Sequence, residues 1–166
     1  MPSFQTRHFV PYSPRQMYDL VADVEQYPQF LPLCEGLNVL RREQQGDTTI
    51  LTATMQVGYK AIHETFATRV TLMPGDLSIV AAYLDGPFRH LENRWRFPAL
   101  EHGQQAGTDV DFYINYEFKS LMLGMLIGAM FDQAFRKFTS AFEARAHVVY
   151  GAPSQAPGQL VPKAAS

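Results

Sequence analysis

The sequence predicts an α+β fold in which a curved antiparallel sheet of about seven strands is closed by one long C-terminal helix. Three observations carry this. Ser120 to Tyr150 runs without proline and at helical period, with Phe131, Phe135, Phe138, Phe142 and Ala146 along one side. From Leu37 to Lys119 the apolar period falls to two. Within that region Val110, Phe112, Ile114, Tyr116 and Phe118 alternate with Asp109, Asp111, Tyr113, Asn115 and Glu117, so one face is apolar and one is wet. Such a sheet needs a single apolar cover, and the phenylalanine-striped helix supplies it.

The elements follow in chain order. Ser3 to Val10 alternates as a short strand that Pro11 ends. Ser13-Pro14 reads as an N-cap with proline at the first helical position, opening a short helix through Met17, Tyr18, Leu20 and Val21 to about Val24. Pro28 and Pro32 then forbid a long helix and cluster Tyr27, Phe30, Leu31 and Leu33, either as a wall of the core or as the rim of a site. Strands are expected over Leu37 to Arg42, Thr49 to Val57, Tyr59 to Leu72 with Gly58 as the break, Leu77 to Leu84, Phe88 to Phe97 and Val110 to Phe118. Turns at Gln45-Gly46-Asp47, Met73-Pro74-Gly75-Asp76 and Asp85-Gly86-Pro87, and a polar loop HGQQAGT, join them as an antiparallel meander. The tail after Gly151, residues 152–166, is rich in Pro, Ala and Ser and reads as disordered, leaving 1–151 as one domain.

Composition narrows the function. The 166 residues are 46% hydrophobic and only 18% charged, which suits one globular domain. A net charge of -2 argues against broad capture of DNA or other nucleic acid. One cysteine, Cys34, gives neither a disulfide nor a zinc constellation and reads as a small buried hydrophobe in a reducing compartment. The N-terminal residues resemble a strand rather than a secretory signal or a presequence. No nucleophile elbow, phosphate loop or H-E-x-x-H pair is present, and the five histidines have no ligand spacing. The expectation is a protein without a catalytic residue, a metal or a required cofactor.

Two features of the long helix bear on binding. Gly124 and Gly128 interrupt its aromatic side, so either the helix approaches the sheet closely there or the missing volume belongs to a cavity. Leu121 to Phe131 is apolar all round but rises only about 16 Å, half the hydrocarbon thickness of a bilayer. Its outward residues Met122, Leu126 and Met130, with Leu123 or Ile127 beside them, are either packed against a loop or second subunit or face a membrane. On the sheet, Glu64, Thr68 and Asn93 fall in the inward register. They satisfy one another or the backbone, lie at the wet end of the sheet, or orient the polar head of an apolar ligand.

The runs DLVADVEQYPQFLPLC (Asp19 to Cys34), LDGPFRHLENRWRF (Leu84 to Phe97), VDFYINYEFKS (Val110 to Ser120) and AFEARAHVVYG (Ala141 to Gly151) resemble signatures of the coenzyme Q-binding proteins of the START-like, polyketide cyclase/dehydrase superfamily. The resemblance spans about residues 3 to 151 and implies a helix-grip fold around an apolar tunnel. It further implies a ligand, ubiquinone or a similar polyprenyl quinone, chaperoned without chemical change in support of respiration. The setting it implies is the bacterial cytoplasm, with peripheral contact at the inner membrane. Leu33 departs from the tryptophan common at that position of the FLP-x-C turn. The ribosome-associated toxin group RatA shares much of the same signature, which keeps a ribosome-binding regulator of translation open as the alternative. On the quinone reading Gly124 and Gly128 leave room for the tail beside Leu121, and Phe131 and Phe135 close the far end. Trp95 and Phe112 line the sheet side, Tyr27, Phe30 and Leu33 form the mouth, and Glu64 and Asn93 meet the head group. Arg41, Arg42, Arg89, Arg94 and Arg96 are the basic face that the ribosomal reading requires, and Glu64 is the one strong acid for a cyclase-type enzyme.

Overall fold

A computed structural model describes residues 3–153. Eight antiparallel strands form one sheet in the order β1-β8-β6-β5-β4-β3-β2, with β7 paired to the start of β8. They are β1 (Ser3–Val10), β2 (Cys34–Gln45), β3 (Thr48–Tyr59), β4 (Ile62–Met73), β5 (Ser78–Asp85), β6 (Phe88–Arg96), β7 (Ala99–His102) and β8 (Gln105–Phe118). Helix α1 (Pro14–Ala22) and a 3-10 helix (Val24–Gln29) follow β1, and α2 (Leu121–Tyr150) ends the described chain. Register shifts between Cys34 and Gly36, Val39 and Arg41, Ala67 and Thr68, and Phe88 and His90 place two bulges on β2 and one each on β5 and β6, which bend the sheet around the helix. The predicted architecture is the observed one, with one strand more than expected.

Three local expectations are corrected. The polar loop 102–108 is a tight hairpin: β8 begins at Gln105, and its first residues pair with the short β7, Ala99 opposite Thr108. Gly58 does not break the chain. It stays in β3 opposite His63, and the turn falls two residues later, where Lys60 takes the left-handed conformation at φ 56°. Strand β2 starts at Cys34, three residues before the apolar alternation begins, because pairing to Val57 extends it irrespective of side-chain pattern. The disordered tail expected over 152–166 lies, from residue 154 onward, outside the described residues.

Capping fixes the helices where the sequence places them. Ser13 Oγ accepts from Gln16 N at 3.1 Å while Gln16 Oε1 accepts from Ser13 N at 2.9 Å, a reciprocal box that starts α1. Ser120 Oγ accepts from Leu123 N at 3.1 Å and starts α2. The α1 side of the molecule is tied to the end of α2 by two phenols: Tyr12 donates to Gly151 O at 2.7 Å and Tyr150 to Gln16 O at 2.9 Å. Between sheet and helices lies the core. Phe88, Phe112, Phe142, Met17, Leu51 and Val110 are fully buried, and the inward register of β8 (Val110 through Phe118) is buried throughout.

Candidate functional site

Along α2 the side chains that face the sheet are Ile127, Phe131, Ala134, Phe135, Phe138, Phe142 and Ala146, the spacing that one side of a helix requires. Opposite the middle of this row the sheet does not fill the space. Inward positions on the central strands are held by small residues, Ala53 on β3, Thr68 opposite it on β4, and Ala81 on β5 between Val70 and Asn93. The deficit leaves an apolar cavity of about 110 Å³. Its helix side is Phe131, Ala134, Phe135, Phe138 and Phe142. Its sheet side runs from Leu37, Met55 and Val57 through Phe66 and Ile79 to Leu91, Trp95 and Ile114. Val24, Tyr27, Leu31, Pro32 and Leu33 close one end. A single water needs roughly 10–15 Å³ on the same measure, so the space is several times larger than a packing defect.

The wall is chemically simple. None of its side chains is charged; the inward polar groups are Asn93, Thr68 and the Tyr27 phenol, whereas Thr54 alternates with Ala53 on β3 and turns its hydroxyl to the outer face. Asn93 is partly committed: its amide donates to Tyr113 O at 2.9 Å and its carbonyl accepts from Trp95 Nε1 at 3.0 Å. One N–H and one lone pair of Asn93 stay free of these bonds. Tyr27 is spoken for, donating to Val21 O at 2.5 Å, and burial pushes its phenol far above the ordinary value of 10.0, so it is no acid at neutral pH. At the rim Leu33 has φ 68°, a left-handed conformation held by Gly58 N donating to Leu33 O at 3.0 Å. Cys34 is buried beside it, and loss of hydration pushes its thiol up to about 11.

The structure brings Tyr27, Leu33, Asn93, Trp95, Phe131 and Phe135 of the sequence-predicted set together on this wall. The others are placed elsewhere. Phe112 is buried one layer behind, 4.6 Å from the Trp95 ring between centroids. Phe30 packs edge-on against Phe142 at 5.1 Å and lies under the Arg145 guanidinium at 5.2 Å, so it seals the wall from outside. Glu64 lines a separate, smaller cavity of about 10 Å³ with Val57, Gly58, Tyr59, Ile62, Ile127 and Phe131. Leu121 is exposed.

The glycine pair does not make the main cavity. The space above Gly124 is taken by the Phe118 ring, 3.5 Å from where a Cβ would sit, and Gly128 faces open space with nothing within 4 Å. Ile127, not Gly128, carries the buried stripe at that turn because the stripe steps by four residues from there to Phe131. The outward patch shifts accordingly. Met122 and Leu126 are exposed as expected, together with Leu121 and Met125, whereas Ile127 is buried, Leu123 packs on the core and Met130 is half-buried. What sequence reasoning missed was the row of small inward residues. Ala53 and Ala81, at inward positions where branched residues stand on the neighbouring pairs, were the available signal.

Other polar clusters stand away from the cavity. His8 meets Glu143 at 2.7 Å, His63 meets Glu35 at 3.0 Å and His147 lies 3.4 Å from the Tyr12 phenol. Among the described residues no group of His, Cys, Asp and Glu could hold a metal ion, and no helix is long and apolar enough to cross a membrane. The arginine face is largely paired: Arg41 with Glu43, Arg42 with Glu25, Arg89 with Glu117 and Arg94 with Glu92, while Arg96 stands opposite Asp111 in the β6–β8 register.

Comparison with known proteins matches residues 10–143 to the family model described as polyketide cyclase/dehydrase and lipid transport. The ribosome association toxin RatA of Escherichia coli K12 is 36% identical over 152 residues, 92% of this chain and 91% of that protein. The mitochondrial coenzyme Q-binding protein COQ10 homolog B of Xenopus laevis is 33% identical over 141 residues, 84% of this chain and 56% of that protein. Among solved structures, the 18 kDa protein CC1736 of Caulobacter crescentus superposes with a TM-score of 0.74 at 37% identity, covering 92% of this chain and all of that one. The aromatase/cyclase ZhuI of a Streptomyces superposes at 0.71 with 16% identity, covering 88% of this chain and 93% of that one, a likeness of fold alone.

Proposed function

The chain belongs to the polyketide cyclase/dehydrase and lipid transport family, and from that premise we propose that it holds a neutral, ring-bearing lipid, a polyprenyl quinone such as ubiquinone, without transforming it. One observation carries the reading: the cavity wall is apolar and without charge, and the polar side chains of its inward register (Asn93, Thr68) are neutral donors. A quinone ring offers two carbonyl acceptors and no donor, and the free N–H of Asn93 or the Thr68 hydroxyl can meet one of them. A fatty acid or phospholipid head would leave its charge unpaired in an apolar surround, at a cost of several kcal/mol. Trp95, Phe135 and Phe142 supply ring faces and edges for stacking, worth about 0.5–1.5 kcal/mol per aromatic pair. A space of about 110 Å³ takes a ring-sized group; the isoprenoid tail requires α2 to move outward. The coenzyme Q-binding relative, 33% identical, supports the same ligand class.

No reaction is part of this proposal. The wall has no carboxylate or histidine to act as acid or base, and Glu64 lies in the side cavity. The experiment is to purify the protein from a quinone-producing host, extract it with organic solvent and identify the lipid by mass spectrometry. A stoichiometric quinone is expected; an empty extract, or an anionic lipid in its place, overturns the reading. Quinone retention in Glu64→Gln is expected to equal that of the wild type.

A second reading, a ribosome-associated regulator, is favoured by the similarity to RatA over nearly the whole chain. The pairing of Arg41, Arg42, Arg89 and Arg94 with carboxylates weakens the basic face that it needs. Pelleting with ribosomes at low and moderate salt separates the two, since genuine phosphate contacts weaken steeply with salt and with Arg94→Glu/Arg96→Glu.

A further inference from the structure

We propose that the first turns of α2 and the β3–β4 hairpin tip form a surface that docks on a lipid bilayer bearing anionic headgroups. Four large apolar side chains at the start of α2 are unusually open: Leu121 is 83% exposed, Met122 71%, Met125 78% and Leu126 65%. Together they make a contiguous patch on the order of 500 Å², at the upper end of what monomeric proteins expose. Met122, Met125 and Leu126 share one face, while Leu123 and Ile127 on the other face are packed into the protein. The patch therefore belongs to a helix already held by its own core, and its outward residues serve nothing within the described chain.

The charge around the patch selects the partner. Between Lys119 and Phe131 the only ionisable side chain is the exposed Lys119 itself, and the first carboxylate of the helix, Asp132, is engaged by Arg136 at 3.0 Å. A second exposed lysine, Lys60, stands at the hairpin tip, whose strands share the side cavity with Ile127 and Phe131. Of the two carboxylates near that tip, Glu35 is paired with His63 at 3.0 Å and Glu64 is drawn into the side cavity. Exposed methionines and leucines flanked by lysines, at a helix N-terminus whose dipole is positive, match an interface of acyl chains below anionic headgroups. Continuity with the interior supports the same partner. Ile127, whose neighbour Leu126 belongs to the patch, lines the side cavity, and Phe131 and Val57 are walls of both that cavity and the main one. Passage of an apolar molecule from the side cavity to the main one would need Phe131 and Val57 to give way, a step that rests on the ligand reading above; the docking itself does not.

The test uses the full chain and vesicles without quinone, made of phosphatidylcholine alone or mixed equally with phosphatidylglycerol. The wild type is expected to float with the mixed vesicles and more weakly with phosphatidylcholine. Leu121→Glu/Met125→Glu, which replaces two exposed residues, is expected to keep the wild-type thermal unfolding curve and to bind at least about tenfold more weakly. Absence of flotation, or equal flotation of the double variant, overturns the proposal. So does a dimer that the double variant dissociates, which assigns the patch to a second copy, or loss of ribosome pelleting with flotation unchanged. Extracted quinone from the same preparations is scored separately: flotation without quinone refutes the ligand reading alone, and quinone without flotation refutes the docking surface alone.

Discussion

Replacing Ala53 by leucine separates ligand capacity from folding. Ala53 is 3% exposed and its methyl faces the cavity from β3, opposite Thr68. An empty apolar space of about 110 Å³ costs the fold about 2.6 kcal/mol at roughly 24 cal/mol per Å³. Leucine adds three carbons, worth about 2.4 kcal/mol if all are buried at roughly 0.8 kcal/mol each. Strain from fitting a branched side chain into a fixed wall returns about 1–3 kcal/mol. The delipidated variant is therefore expected to lie between about 0.6 kcal/mol less and about 1.4 kcal/mol more stable than the wild type, while its bound lipid falls severalfold. Urea unfolding of delipidated protein, read beside mass spectrometry of the organic extract, measures both. A variant destabilised by more than about 2 kcal/mol would show the space to be occupied by protein in solution, and full lipid retention would place the ligand elsewhere.

Gly128→Ala is expected to raise stability by about 0.5–1 kcal/mol, since the site is mid-helix and nothing lies within 4 Å of the added methyl; lipid retention should not change, and chemical denaturation checks the gain. Asn93→Ala removes the bonds to Tyr113 O and Trp95 Nε1 and should cost about 1–3 kcal/mol, seen as a lower unfolding midpoint. Burial pushes the Cys34 thiol from 9.0 up to about 11, so the folded state favours the protonated form. The stability this represents is complete below pH 9 and is lost as pH rises toward 11; Cys34→Ala should flatten that part of the pH profile, leaving the share of the phenols that burial raises, Tyr27 with Tyr12, Tyr18, Tyr83, Tyr116 and Tyr150, which acts above 10.

Much of this architecture was legible because it depends on local chemistry. The Ser13 and Ser120 caps, the period-two alternation of β8 and the period of α2 each follow from backbone requirements that a short window contains. The errors fell where pairing with a distant partner decides. Cys34 enters a strand because Val57 is there to pair with it, and the turn moves from Gly58 to Lys60 because β3 and β4 keep their ladder through Tyr59 opposite Ile62. The site was legible in part for the same reason. Tyr27 at the mouth, Trp95 on the sheet side and Phe131 and Phe135 at the far end were expected around one apolar space, and all four line the cavity.

The sequence by itself determined the class of the fold, the helix that covers the sheet and the apolar character of whatever lies between them, since side-chain period and polarity are properties of the chain. Where that interior stays vacant was decided only in the tertiary structure. A void is a difference between the volumes of residues brought together from several strands and a helix. Two glycines on the helix suggested one position; Ala53, Thr68 and Ala81, aligned by strand register across from Ala134, set another.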